Sequence, residues 1–187
     1  MRGRRFDWRG ALAFAGIVAL IGFIAWGILV TIRPAIGGQR EMTMRTGDAG
    51  LTLIKRFEGC VLTTYRCGAG VCTIGFGHTG KDVKPGMAIT RDRAEVLLKR
   101  DLAVVDAALE RLVTAPLRQH QWDAVASLIF NIGVPAFAKS TLLRLLNAEE
   151  HGNAADEFGR WVYAGSRVLP GLIKRRAAER DLFLTQA

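Results

Sequence analysis

The chain has 187 residues, 50% of them hydrophobic, and its 26 Lys and Arg exceed its 17 Asp and Glu by nine positive charges. Residues 1–40 contain six Arg and one Asp, so the remainder carries a net charge of 20 − 16 = +4. A basic domain is attracted to an anionic cell envelope or to nucleic acid, but no stretch resembles a nucleic-acid-binding motif, which excludes that class of partner.

The N-terminal segment has the organisation of a membrane anchor. A basic tail, residues 1–10, precedes residues 11–32, a run of 22 residues without a charge. At about 1.5 Å of helix per residue this run is long enough to cross a hydrocarbon core of about 30 Å. We predict a transmembrane helix over residues 11–32 with the basic tail in the cytoplasm. A signal peptide cleaved near residues 35–37 is the alternative.

Small residues recur through this apolar run, which contains many Ala and Gly. They contribute little transfer free energy, so membrane residence is expected to be weak; close helix packing is the alternative explanation for them. Residues 33–49, with a Pro and a Gly-Gly pair, are predicted to be a flexible linker. Residues 50–187 then have the length of one folded domain.

A short helix is predicted over residues 51–57 because its apolar residues recur at a spacing of three. Gly59 is expected to end this helix, since glycine adopts the left-handed conformation at low cost. Glu58 is therefore placed at the carboxyl end of the helix. It is the sole carboxylate between Asp48 and Asp82, so it is the one acid that this part of the chain offers for catalysis.

A β-hairpin is predicted immediately after this helix. Residues 61–66 and 71–74 are rich in β-prone residues, and residues 68–70 between them have the Gly-Ala-Gly sequence of a turn. The three cysteines of the chain lie in or beside the hairpin: Cys60, Cys67 and Cys72. Disulfide bonds between them are permitted if the domain is exported.

The rest of the chain is predicted to be helical. After Thr90, a suitable N-cap, apolar residues recur at spacings of three and four up to Leu112, which predicts one long helix. Further helices are predicted over residues 119–132, 142–148, 156–163 and 172–184, the last of them basic. The predicted class is α+β, dominated by helix.

The spacing of three residues connects this sequence to a known family. Eight and then five residues separate Glu58, Cys67 and Thr73, and the segments KRFEG and TIGFGHT flank the hairpin. In these features the chain resembles the phage-type lysozymes of T-even bacteriophages, glycoside hydrolase family 24. The resemblance covers about residues 50–184 and implies a lysozyme-like fold, in which a long helix joins a small hairpin lobe to a larger helical lobe. With its N-terminal segment, the chain resembles the subgroup of signal-anchor-release endolysins.

The resemblance implies a muramidase that hydrolyses the β-1,4 bond between N-acetylmuramic acid and N-acetylglucosamine in peptidoglycan and so lyses the host cell. Glu58 would protonate the leaving oxygen, Cys67 would act as base or nucleophile, best as a thiolate, and Thr73 would orient a water. The implied, weaker substrate contacts are Phe130, Asn131 and Ser140. No metal or cofactor is implied.

The resemblance also implies the partners and the location. The expected partners are the glycan strands of peptidoglycan and, through residues 11–32, the inner membrane, with the enzyme acting as a monomer. The catalytic domain would face the periplasm and later be released into it. His78 is interpreted as a structural hydrogen-bonding residue, and Lys174, Arg175 and Arg176 either meet carboxylates of the wall or form a solvated face.

Two other functions remain open at this stage. A lytic transglycosylase needs a single acid and would leave anhydro-muramyl products. A non-catalytic wall-binding membrane protein would release no glycan at all.

The cysteines allow three single pairings, each of which leaves one thiol free. Bonding Cys67 to Cys60 or to Cys72 would block the candidate catalytic thiol, whereas a Cys60–Cys72 bond would leave it available. Relatives with Cys at the catalytic position can use such locks. Our hypothesis is a Cys60–Cys67 bond in the tethered form that exchanges to Cys60–Cys72 after release, and a permanent structural bond is the alternative.

Overall fold

The computed structural model describes residues 44–66 and 70–185, so the predicted anchor and Cys67 lie outside the described residues. The helices are α1 (Asp48–Glu58), α2 (Arg91–Leu112), α3 (Gln119–Ile132), α4 (Val134–Phe137), α5 (Thr141–Asn147), α6 (His151–Glu157) and α7 (Pro170–Phe183). The strands are β1 (Val61–Arg66), β2 (Cys72–Gly75), β3 (His78–Thr79), β4 (Tyr163–Ala164) and β5 (Arg167–Val168). The predicted combination of many helices with a small sheet is confirmed. Among the described helices, none combines the length and the apolar character needed to cross a membrane.

Helix α1 is capped at its N-terminus by a side chain from another helix. Its N-cap residue Gly47 has no side chain to offer, and the carboxylate of Asp123 in α3 accepts hydrogen bonds from Gly47 N at 2.7 Å and Gly50 N at 3.1 Å. A Cβ atom on Gly50 would lie 3.0 Å from the Asp123 Cβ, so the glycine permits this close approach. One residue earlier, Thr46 donates from its backbone and its hydroxyl to Asp106 Oδ1.

The other end of α1 is as predicted. Gly59 follows the helix with a φ of 66°, a conformation that favours glycine, and its N–H bonds to the carbonyl of Lys55. Glu58 is the last residue of the helix. The catalytic candidate therefore stands at the junction between α1 and the sheet that follows.

The predicted hairpin is part of a three-stranded antiparallel sheet in the order β1-β2-β3. Tyr65 pairs with Thr73, Arg66 pairs with Cys72, and Thr73 also pairs with Thr79 on β3. The third strand has only two residues, which is too short to produce a recognisable alternating pattern in the sequence. Thr73 thus occupies the central strand.

Helix α2 connects this small lobe to the helical lobe. Thr90 caps it as predicted, with its hydroxyl accepting the Arg93 N–H at 3.2 Å. One face of α2 contributes Leu109 to the main hydrophobic core, which also contains Ile129 of α3. At its N-terminal half, Leu97 packs in a second, smaller cluster under the sheet. Burial of both clusters fixes how the two lobes meet.

The prediction of a helix over residues 156–163 was wrong. Helix α6 ends at Glu157, a 3-10 turn follows over Phe158–Arg160, and β4 and β5 form a small hairpin. Its two loop residues are Gly165, with a φ of 61°, and Ser166. A Gly-Ser pair is a known signal for such tight loops, and here it outweighs the helical periodicity.

Two smaller differences concern helices that contain proline in their first turn. The last helix was predicted over residues 172–184 and begins two residues earlier, at Pro170. The short helix α4, which contains Pro135, was not predicted. In the first turn of a helix the missing N–H of proline has no intrahelical partner to lose.

Candidate active site

Glu58 is held by one of its two carboxylate oxygens. Oε1 accepts a hydrogen bond from Arg175 Nη1 at 2.6 Å, and the Glu58 side chain is 11% exposed. Oε2 lies beside Gly77, between β2 and β3, since a Cβ atom on Gly77 would be 3.9 Å from it. Within the described residues Oε2 receives no hydrogen bond. The carboxyl group is therefore oriented through Oε1, while Oε2 faces the small lobe.

Arg175 is buried in the helical lobe rather than solvated. Its side chain is 1% exposed, and its guanidinium donates to Glu179 Oε1 at 3.0 Å and to the Ser127 carbonyl at 3.2 Å, besides Glu58. Burial opposes its charge, but the carboxylates of Glu58 and Glu179 outweigh this and raise the pKa of Arg175. It also lies 5.8 Å from the Phe57 ring centroid.

Arg176 extends the same network toward a predicted substrate contact. Its Nη1 lies 2.7 Å from Glu179 Oε2, and its Nη2 donates to Asn131 Oδ1 at 2.5 Å. Burial lowers the pKa of the Arg176 guanidinium to about 10, and burial raises the pKa of Glu179 against the influence of both arginines. Of the three basic residues expected to face the wall or solvent, only Lys174 is exposed.

Of the remaining predicted catalytic residues, the structure describes Thr73. It is buried in β2, where its hydroxyl donates to the Val71 carbonyl at 3.2 Å. Cys67 lies outside the described residues. The guanidinium of Arg66, the residue before it, donates to the Gly70 carbonyl at 2.9 Å.

The two described cysteines carry free thiols at opposite ends of the β1–β2 ladder. Cys60 precedes Val61, which pairs with Gly75, and it packs against the main core. Cys72 pairs with Arg66 and packs against the second cluster. The register of the ladder shifts between Val61 and Tyr65, so β1 is not a regular strand between these two ends.

The exchange hypothesis stays a prediction, because Cys67, whose thiol it describes as blocked and then available, lies outside the described residues.

His78 has a structural role, as interpreted from the sequence. It is buried, and its Nδ1 lies 2.8 Å from Asp101 Oδ2, which joins β3 to α2. Its Nε2 lies 3.0 Å from Arg100 Nη2. Burial raises the pKa of Asp101, while the contact with His78 opposes that rise.

The predicted substrate contacts differ in their environment. Asn131 is held by Arg176, and Phe130 is half-buried against the main core. The hydroxyl of Ser140 caps α5, accepting the Leu143 N–H at 3.0 Å and donating to the Phe137 carbonyl at 2.7 Å. A cavity of about 280 Å³ opens beside it; its lining residues are Lys139, Ser140, Thr141, Glu157, Arg160 and Trp161.

Sequence reasoning missed Arg175 and Glu179 as parts of the site. Glu179 follows Arg175 by four residues and Arg176 by three, which is the spacing of ion pairs on a helix. That signal was present in the sequence, but the same spacing is common on exposed helices, so it does not reveal burial.

Comparison with known proteins shows the family to which the chain is related. The family model for phage lysozymes matches residues 55–179. An endolysin of Salmonella phage P22 is 48% identical over 146 residues, covering 76% of this chain and 99% of that protein. The SAR-endolysin of Escherichia phage Mu is 40% identical over 148 residues, covering 79% of this chain and 82% of that protein. The muramidase domain of SpmX from Asticaccaulis excentricus superposes with a TM-score of 0.73 at 39% identity, covering 76% of this chain and 99% of that one.

Proposed function

The chain belongs to the phage lysozyme family and is a muramidase of the endolysin type, and we propose that Glu58 is the general acid with which it cleaves peptidoglycan. The observation that supports this role is that, in the part of the chain that the structure describes, one oxygen of the Glu58 carboxyl group is hydrogen-bonded and the other is not. Arg175 holds Oε1, whereas Oε2 is left toward the small lobe. A carboxyl oxygen in that position is suited to protonate the glycosidic oxygen of a glycan strand lying between the lobes.

Cys67 and Thr73 are proposed to act on the opposite side of the cleaved bond. Glycoside hydrolysis needs a second group that activates a water or attacks the sugar. Cys67 would serve as a thiolate, and Thr73 in the neighbouring strand would orient a water through its hydroxyl. Asn131 and Phe130 are proposed to contact the glycan, and Ser140 to line the cavity at the start of α5. The scissile bond is β-1,4 between N-acetylmuramic acid and N-acetylglucosamine, and the enzyme works as a monomer.

The reaction type is tested by the products. Purified full-length protein in detergent is expected to release fragments with reducing N-acetylmuramic acid ends from isolated peptidoglycan, because water is the acceptor in hydrolysis. Mass spectrometry of the soluble fragments identifies the ends. Anhydro-muramyl ends would assign a lytic transglycosylase instead, and absence of soluble fragments would assign a wall-binding protein.

We further propose that the enzyme is first tethered to the inner membrane. Residues 1–10 form the cytoplasmic tail, 11–32 the anchor and 33–49 the linker, with the catalytic domain after them in the periplasm. Support comes from the uncharged run of the sequence and from relatives named SAR-endolysins, such as that of phage Mu. The abundance of small residues in the run favours later release to the periplasm.

Two charges in the anchor are expected to abolish membrane association. Lys at Gly16 and at Leu20 together should remove the protein from the membrane fraction, because each charge near the centre costs roughly 2.5–3.5 kcal/mol of insertion free energy. Cell fractionation with immunoblotting measures this. The matched control is Gly16→Leu with Leu20→Ile, which keeps the segment apolar. Equal membrane fractions for the lysine variant and this control would refute the anchor.

The thiol of Cys67 is proposed to be restrained by a bond to Cys60 in the tethered form, and this bond is proposed to exchange to Cys60–Cys72 after release. The first bond would occupy the second catalytic group, and the exchange would make it available. Protein isolated without reductant should gain activity when dithiothreitol is added, and a Cys60→Ser variant should be active without it. Cys72→Ser is the control and should still require the reductant. If Cys72→Ser alone removes the requirement, the lock is assigned to the wrong partner.

A further inference from the structure

Glu179 lies at the centre of the buried charge network, although no catalytic step assigned above uses it. Its side chain is fully buried, at 0% exposure. Oε1 accepts hydrogen bonds from Ser127 Oγ at 2.7 Å and Arg175 Nε at 3.0 Å, and Oε2 lies 2.7 Å from Arg176 Nη1. Burying a carboxylate and two guanidiniums carries a large desolvation cost, so a gain in folding stability does not by itself explain why this ionic network is present.

We propose that Glu179 is a positioning residue that acts on the active site through its two arginines. Through Arg175 it fixes the carboxyl group of Glu58. Through Arg176 it fixes the side-chain amide of Asn131. The inference rests on the proposed function, since it takes Glu58 as the general acid and Asn131 as a substrate contact.

The connection from Glu179 through Arg175 to Glu58 is the first arm of the network, and it depends on the planar shape of the Arg175 guanidinium. Arg175 is held at Nε by Glu179 and at Nη2 by the Ser127 carbonyl, so the direction of Nη1 is determined. That remaining group donates to Glu58 Oε1 at 2.6 Å. The position of the Glu58 carboxyl, and hence of Oε2, from which the proton is proposed to be donated, therefore follows from the position of Glu179.

The connection from Glu179 through Arg176 to Asn131 is the second arm, and it determines which way the Asn131 amide points. A guanidinium only donates hydrogen bonds, so the atom facing Arg176 Nη2 is the amide oxygen Oδ1. The amide nitrogen is then turned away from Arg176 and is available to donate to a carbonyl of the substrate. N-acetyl and peptide carbonyls both supply such an acceptor. Arg176 Nη1 forms an ion pair with Glu179 Oε2 at 2.7 Å, although the two atoms do not have hydrogen-bond geometry.

The charges of the cluster balance when Glu58 and Glu179 are both ionised, and one positive charge is in excess when Glu58 carries its proton. Two carboxylates, Glu58 from α1 and Glu179 from α7, face the guanidiniums of Arg175 and Arg176. The α3 groups that touch the cluster, Ser127 and the Asn131 amide, are neutral. Removing the charge of Glu179 leaves an excess positive charge, which favours the ionised form of the general acid. Removing Arg176 leaves an excess negative charge and has the opposite effect.

Glu179→Gln tests the inference, because it keeps the shape and removes the charge. For the full-length protein in detergent we expect kcat to fall by about tenfold or more, up to the 10²–10⁴-fold that general acid catalysis contributes as a whole. The alkaline limb of the kcat profile should move to lower pH, since the acid loses its proton earlier. Circular dichroism establishes that the variant is folded at the assay temperature, and Glu110→Gln, on the exposed face of α2, is the matched control.

Arg176→Met tests the two arms separately. It removes the support of Asn131, so KM should rise, while the alkaline limb of kcat should move to higher pH. Glu179→Asp restores the charge with a shorter reach and should return that limb toward the wild-type pH. If Glu179→Gln does not fold, the opposite shift in Arg176→Met and the behaviour of Glu179→Asp decide the question.

The outcomes distinguish this inference from the function on which it rests. Folded Glu179→Gln and Arg176→Met variants with wild-type kcat, KM and pH profile overturn the positioning role if Glu58→Gln is inactive. If Glu58→Gln is itself active, the proposed general acid is wrong, and the positioning role falls with it.

Discussion

A Glu58→Gln variant is expected to remain folded and to lose about 10²–10⁴-fold in peptidoglycan hydrolysis, the usual contribution of a general acid. The amide cannot donate the proton that the leaving oxygen needs. Its carbonyl oxygen can still accept the hydrogen bond from Arg175 Nη1, so the contact that fixes the side chain is retained. Release of reducing ends from isolated peptidoglycan measures the activity.

The control for this variant is Glu110→Gln, the same chemical change at an exposed position of α2. It should hydrolyse peptidoglycan at the wild-type rate, and thermal melts of both variants should resemble that of the wild type. Hydrolysis by Glu58→Gln at the control's rate would remove Glu58 from the mechanism.

Arg175→Met is expected to lower the free energy of unfolding by about 3–5 kcal/mol and to inactivate the enzyme. The guanidinium is 1% exposed and stands between the carboxylates of Glu58 and Glu179. Without it, Glu179 loses one of its cations and Glu58 loses the donor that orients it, so stability and catalysis should fall together. Urea denaturation measures the first effect and the hydrolysis assay the second.

Lys174→Met provides the comparison, since Lys174 is the exposed neighbour of Arg175 on the same helix. Surface substitutions of this kind usually change stability by less than about 0.5 kcal/mol. If both variants unfold at the same urea concentration, the buried ion pair contributes nothing and the network is not organised around Arg175.

The local architecture of the site was largely predictable because it depends on short-range signals. Gly59 ends α1 and thereby places Glu58, and Thr90 begins α2 with its own hydroxyl. Both effects act within one turn of helix, and interactions over so short a distance can be recognised from neighbouring residues in the sequence. The bounds predicted for α3 agree with the structure for the same reason, with Gly133 as the stop signal.

The electrostatic part of the site was not predictable, because it depends on which helix faces which. Arg175 and Arg176 are adjacent in the sequence and chemically equal, yet one reaches Glu58 on α1 and the other Asn131 on α3. Their burial arises from the packing of α7 against α3. Arg176 contacts Asn131, which lies 45 residues earlier in the chain, and Arg175 contacts Ser127, which lies 48 residues earlier. No local periodicity encodes such a separation, and the basic sequence itself suggested a solvated face.

The capping of α1 by Asp123 determines where the protein can be cut. Thr46 and Gly47 lie before the predicted domain boundary at residue 50, yet their N–H groups bond to the buried carboxylates of Asp106 and Asp123. A chain shortened to begin at residue 50 would leave both carboxylates buried with fewer donors, which is a costly state for a charge. The shortest muramidase that retains full stability therefore begins at or before Thr46.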